Sequence, residues 1–331
     1  MPALEDRIRG CLLGGLIGDA MGAPTEKKTY EQIHAEYGPD GVTDFEGAGT
    51  DDTAVRDQLI QVIVQSGGRV TCDEFAQSFL DSREQNYRFW WAPILNMYFK
   101  LRGGETLPVD AGYGNMASSC CPMAITPMGI LNAANPRQAA LETFDVGMVL
   151  NSGPTGFCRD AASAMAAAVA QAFVPETTVP AIVDAAMAHL HPVSARQVID
   201  AIQTTRSLAR DTGDYATFRG QFYADHLRAA LNDPRETVPV ALAMFELADG
   251  DARRAILHGA NFGRDADTIA TMAGGLCGAF RGVSGLPAEW VTRAQANAGT
   301  DYAEVAAGLA DVVRRRADAA SRLAHAIASL G

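Results

Sequence analysis

The sequence predicts an all-α fold, and three observations carry that prediction. Apolar residues return at helical spacing along most of the 331-residue chain, strand-like alternation is nowhere sustained, and glycine recurs at every fourth position near the start. With 48% hydrophobic residues the chain can bury a substantial core. No proline-rich or serine-rich linker, repeat or low-complexity segment divides it, so a single domain over residues 1–331 is expected.

The elements follow in order. Gly10, Gly14, Gly18 and Gly22 punctuate the apolar run 8–21 and leave one helix face almost bare, which lets another helix approach at backbone distance. Interior glycines each cost up to about 1 kcal/mol relative to alanine, so a packing or site reason is implied. Val55, Leu59, Ile60 and Ile63 mark a second helix, and Phe75, Phe79 and Leu80 a third. Over 161–173 alanine makes nearly every face small. Further helices are expected at 194–209, 217–231, 238–247, 251–258, 268–280 and 301–330, with proline and glycine punctuation between elements. Residues 108–129 are too long for a plain connector. They read either as a binding loop, whose hydroxyls include Ser118 and Ser119, or as a structural Ω-loop.

Composition removes several functions. A formal net charge of −12 argues against binding a nucleic acid polymer, while leaving room for a small phosphorylated ligand at a metal or a helix terminus. Glu5 and Asp6 precede the first apolar run and Asp19 interrupts it, so neither a signal peptide nor a membrane span fits, and a cytoplasmic location is expected. The six cysteines contain no Cys-x-x-Cys pair; reduced, buried thiols are expected and zinc is disfavoured. Phe89, Trp90 and Trp91 suit core packing better than stacking on a base. His258 precedes an acidic loop and is a candidate to orient it. No Ser-His-Asp arrangement is readable.

The chemistry concentrates in two acidic helix starts. Gly49-Thr50-Asp51-Asp52-Thr53 and Gly263-Arg264-Asp265-Ala266-Asp267-Thr268 each place two carboxylates beside a glycine, with two hydroxyls in the first and one in the second. Either alone reads as an ordinary N-cap. Together they suggest one shared site for a hard divalent cation such as Mg²⁺, which takes oxygen ligands and would relieve the repulsion among four aspartates. On an ideal helix Asp265 and Asp267 diverge by about 200°, so they converge only if the glycine turn bends the helix entry. The spacing is not that of a calcium-binding EF-hand.

These elements, with the opening Gly10-Cys11-Leu12-Leu13-Gly14-Gly15-Leu16-Ile17-Gly18-Asp19-Ala20-Met21-Gly22-Ala23-Pro24-Thr25-Glu26, resemble the ADP-ribosylglycohydrolase family. That family includes the dinitrogenase-reductase-activating glycohydrolases. Gly274-Gly275, Gly278-Ala279 and Gly285-Leu286-Pro287 extend the resemblance over most of the chain. It implies a large orthogonal all-α bundle around two Mg²⁺ ions and a hydrolase cleaving the glycosidic bond at ribose C1 of an ADP-ribosyl or related N-ribosyl compound, free or on a modified protein. By matching position, Thr50, Asp51, Asp52, Asp265, Asp267 and Thr268 would ligate metal; Glu26, Asp52 and Asp267 are the candidate catalytic carboxylates. Ser118, Ser119, Asn151 and Gly263 are the candidate substrate contacts.

The middle of the chain departs from the family pattern. Ala124 stands where members carry arginine, and the family's Thr-His is replaced near Asn151-Ser152-Gly153. Arg264 precedes Asp265, where it would touch a phosphate or cap the loop. Two further readings remain beside the glycosidase: a biosynthetic hydrolase of a ribosylated metabolite, and a non-catalytic ligand-binding or scaffold relative.

Overall fold

The computed structural model describes residues 2–330, and among them lie eighteen α-helices and no strand. The nearest approach to a sheet is one isolated bridge between Tyr113 and Ser152. No described helix is long and apolar enough to cross a membrane.

The centre of the fold is the pairing of the first helix, Leu4–Gly22, with the helix Ala266–Arg281. The fourfold glycine spacing makes this pairing: a Cβ added at Gly14 would lie 2.2 Å from the Gly274 carbonyl oxygen, and one at Gly18 2.1 Å from that of Ala270. The two backbones are in contact, running antiparallel from Gly10 against Gly278 to Gly22 against Asp267. Buried Arg7 closes the far end by donating to the Ala279 and Phe280 carbonyls. The acidic C-terminal end of the first helix is thereby fixed beside the acidic N-terminal end of its partner.

Other helices lock this pair in place. Arg56, 1% exposed, donates to the Leu12 carbonyl, to Asp57 and to the Tyr302 hydroxyl, joining the helix Asp51–Gln65 to the first and last helices. The alanine-rich helix Phe157–Ala172 is buried along almost its whole length, because small residues on every face accept neighbours on every side. All six cysteines are free and buried.

Several boundaries differ from the sequence reading. The helix expected over 217–231 is Tyr215–Asp225, and the one expected from 238 begins at Pro234 behind an Asp233 cap. The chain between them is irregular because Pro234 can open a helix but not continue one. Residues 108–129 are not one continuous loop, although Ser119, Cys120 and Met123 within them line a cavity. They contain helical turns at Pro108–Ala111 and Pro122–Ala124 and the start of helix Thr126–Leu131, and every residue from Ser118 to Asn132 is buried.

Candidate metal and substrate site

The two acidic helix starts meet. A cavity of about 460 Å³ is lined by Glu26, Asp51, Asp52, Asp265, Asp267 and Thr268 together with Lys27, Trp91, Ser119, Cys120, Met123 and the segment 229–232. Carboxylate oxygens of Glu26, Asp265 and Asp267 lie within 4.8 Å of one another, a group able to hold a metal ion.

Each carboxylate has a local cause for its position. Gly263 (φ +80°) and Arg264 (φ +64°) turn the chain sharply, leaving Asp265 outside the helix at ψ 57° while Asp267 stands in its first turn. The bend defeats the divergence that an ideal helix would impose. The turn is held by a backbone exchange: the Lys27 amide donates to the Arg264 carbonyl at 2.7 Å, and the Arg264 amide donates to the Lys28 carbonyl at 2.8 Å. Glu26 is thus drawn beside Asp265. Thr25 and Tyr223 brace the same corner through the Ala260 and Phe262 carbonyls.

At the other helix start a residue the sequence reading overlooked does the capping. Asp19 is fully buried and accepts from the Thr50 amide and hydroxyl, both at 2.8 Å, and from the Thr53 amide at 3.0 Å and hydroxyl at 2.5 Å. One carboxylate from the first helix accepts the Thr50 and Thr53 amides at the opening of the helix Asp51–Gln65, and neither Asp51 nor Asp52 makes those contacts. The signal was available: a lone charge within an otherwise apolar, glycine-striped helix.

The electrostatics show what the cluster lacks. Burial, reinforced by the neighbouring carboxylates, raises Asp51 to about 6 and Asp265 to about 8, and holds Asp52 and Asp267 well above the ordinary range. Asp52 Oδ1 and Asp265 Oδ2 are buried without a hydrogen-bond partner. Native structures rarely leave such atoms alone. An all-oxygen set of crowded, under-satisfied carboxylates fits a hard divalent cation.

The remaining candidates are distributed as follows. Thr268 lines the cavity, whereas the Thr50 hydroxyl is engaged by Asp19. Ser119 lines it and is tied to the segment 229–232 and the helix behind it, donating to the Asn232 carbonyl at 3.0 Å and bonding the Thr237 hydroxyl at 2.7 Å. Ser118, Asn151 and Gly263 are not among its lining. The Ser118 hydroxyl donates to Cys120 Sγ, Asn151 sits behind that thiol, and Gly263 serves the turn. Trp90 packs in the core against Phe79 and Tyr98, while half-buried Trp91 faces the cavity. Cys120 is pushed up to about 12 by burial and offers no ready thiolate.

Arg264 caps rather than reaching for a phosphate. Its Nε donates to fully buried Glu236 at 2.8 Å, and its guanidinium also donates to the Arg228 and Ala230 carbonyls. The residue that opens the acidic turn therefore anchors the segment that contributes Ala229 to Asn232 to the cavity lining. The His258 ring stacks on Tyr215 at 4.2 Å and its buried Nδ1 has no hydrogen-bond partner, so no bond from that atom orients the acidic loop.

Comparison with known proteins accords with this geometry. The ADP-ribosylglycohydrolase family profile matches residues 1–322. The chain belongs to that family. Among its relatives, an uncharacterized Escherichia coli protein, YegU, is 25% identical over 315 residues, covering 85% of this chain and 89% of that protein. The ADP-ribosyl-[dinitrogen reductase] glycohydrolase of Rhodospirillum rubrum is 25% identical, covering 88% and 91% of the two chains. The ADP-ribosylhydrolase ARH3 of Bos taurus is 23% identical, covering 86% and 87%. A solved ADP-ribosylglycohydrolase-related protein complex superposes with a TM-score of 0.68 at 21% identity, over 94% of this chain and 98% of the other, and so shares the fold.

Proposed function

We propose that this protein is a Mg²⁺-dependent glycosidase that hydrolyses the bond between ribose C1 and its substituent in an ADP-ribosyl or related N-ribosyl compound. The observation that carries the reading is the set of five carboxylates lining a sugar-sized cavity, two of them with orphaned buried oxygens. Thr50, Asp51, Asp52, Asp265, Asp267 and Thr268 would hold two Mg²⁺ ions, with Glu26 alongside. Bound there, Mg²⁺ supplies electrophilic polarisation of pentose hydroxyls and of water.

The protein's own groups account for the rest. Trp91 gives the ribose or its aglycone an apolar face, and the Ser119-braced wall limits how far the ligand can shift. A carboxylate of Glu26, Asp52 or Asp267 accepts a proton from water as its oxygen bonds C1. The C1–N or C1–O bond breaks, and the departing group takes up a proton. The negative wall also favours the positive charge that develops at C1.

One observation favours a ribosylated small molecule over a diphosphate-bearing substrate. Among the described residues lining the cavity, the only cation is Lys27, and it is paired with Glu26 at 3.0 Å. ADP-ribosyl-arginine, ADP-ribosyl-serine, dinucleotides and neutral N-ribosides, each assayed with Mg²⁺ and with chelator, test both readings. Turnover of ribosides alone selects the small-molecule hydrolase. Tight Mg²⁺ binding without turnover of any ribosyl bond overturns the glycosidase in favour of a binding relative.

A further inference from the structure

The last helix, Tyr302–Ala328, outruns the body it packs on. In a heptad register with Ala306, Val313, Ala320 and Ile327 at a and Leu309, Arg316, Leu323 and Leu330 at d, the described residues buried against the body all fall at a, d, e or g: Tyr302, Ala306, Leu309, Ala310, Val312 and Val313. Arg316 marks the exit, donating to the Gly68 carbonyl, Asn132 and Glu142. Beyond it, residues 317–330 are exposed throughout. Their pattern does not change. Positions a, d, e and g remain Ala317, Ala319, Ala320, Leu323, Ala324, Ala326, Ile327 and Leu330, while polar and charged side chains keep to b, c and f. Leu323 is 62% and Ile327 61% exposed on a face identical in character to the one the core covers.

We infer that this overhang pairs antiparallel with the same helix of a second copy of the chain. Three features select that occupant. The segment 317–330 carries one arginine and one aspartate, Arg322 and Asp318, so two overhangs meet without the repulsion expected between bodies of net charge −12. Its polar face lacks the Lys/Arg richness that an amphipathic helix needs for an anionic lipid surface. Its seam is also self-complementary. A two-fold axis near His325 sets Ala320 opposite the other copy's Leu330 and Leu323 opposite its Ile327, small against large, while the e and g alanines allow close approach.

The helical part of the overhang, residues 317–328, is about 18 Å long at 1.5 Å per residue, too short to be stable as an isolated helix pair. Antiparallel pairing returns each tip toward the root of the other helix, where Leu141 is 56% exposed beside a depression lined by Gly68, Val70 and Arg316. That added contact brings the interface toward the lower end of the stable range, about 1,200 Å² in total, and the dimer should assemble at micromolar concentration.

Sedimentation velocity on the full chain across the micromolar range tests this. The expected result is a monomer–dimer equilibrium that Leu323→Glu/Ile327→Glu weakens at least about tenfold, because carboxylates would be buried at the seam. The double variant should keep the wild-type helical circular dichroism and Mg²⁺-induced melting shift, since these residues touch nothing in the body. Because all native cysteines are buried, added thiols report geometry. Ala320→Cys chains mixed with Leu330→Cys chains should cross-link to each other, and Ala320→Cys alone should not. A chain monomeric throughout, a dimer indifferent to the double substitution, cross-linking of Ala320→Cys with itself, or association only with anionic vesicles would each overturn the inference.

Discussion

Acidic residues open helices throughout this molecule, but they do so in two ways. At Asp214, Asp233, Asp251 and Asp301 the side chain accepts an amide from its own first turn and is spent on capping. At the helix starts Thr50 and Asp265 the N-cap side chain accepts no amide of its own first turn, although Asp267 accepts the Thr268 amide at 3.0 Å. Asp19 supplies the first cap from another helix, and a left-handed turn at Gly263 and Arg264 redirects the second. The same residue types are structural in one set and free for a ligand in the other. What separates them is whether the N-cap side chain accepts its own first-turn amides.

Substitutions on either side of that contrast should behave differently. Asp267→Ala removes a carboxylate from the cavity; ribosyl hydrolysis should fall by about 10³-fold or more, and the Mg²⁺-induced rise in melting temperature should shrink. Near-normal turnover would dissolve the contrast. Arg264→Gly leaves fully buried Glu236 without its cation, and chemical denaturation should show a loss of about 3 kcal/mol. Its KM should rise more than its kcat changes, because segment 228–232 loses its anchor; adding Glu236→Gln should recover part of the stability.

Asp19→Asn retains the shape but replaces one of the two oxygens that share four contacts with a donor, and should cost about 2 kcal/mol while weakening Mg²⁺ binding at Asp51 and Asp52. A stability loss with unchanged metal affinity would reduce Asp19 to a cap alone.

His258 provides a pH test away from the carboxylates. Burial lowers it to about 4, so between there and its ordinary value of 6.5 the unfolded chain binds more protons and stability falls as pH falls. His258→Phe, which can keep the stack on Tyr215, should remove a slope of at most about 1.4 kcal/mol per pH unit from denaturation midpoints in that window. At the small end, Asp251→Ala removes an ordinary cap, should cost about 1 kcal/mol, and should leave hydrolysis and Mg²⁺ response unchanged.

Much of this arrangement was legible in advance. The glycine spacing announced a helix pair in backbone contact, and the two Thr/Asp-rich starts announced a site split between distant parts of the chain. Less visible were Asp19, which is one carboxylate among apolar neighbours until Thr50 and Thr53 arrive, and Arg264, whose partner lies in a different helix. Residues 217–231 misled because their composition supports a helix past Asp225, while the proline-led helix that follows leaves the intervening segment as cavity wall. Trp90 and Trp91 are adjacent and similar, yet one is core and the other faces the cavity; only the direction of chain entry into the helix Ala92–Gly103 separates them.

By itself the sequence determined the helices, the bare face of the first one and the oxygen chemistry available to a cation, because periodicity, the missing Cβ of glycine and side-chain type are local properties. The tertiary structure decided which carboxylates are free to bind. That choice depends on backbone turns and on amide partners supplied from far along the chain, and no local pattern encodes a partner's position in space.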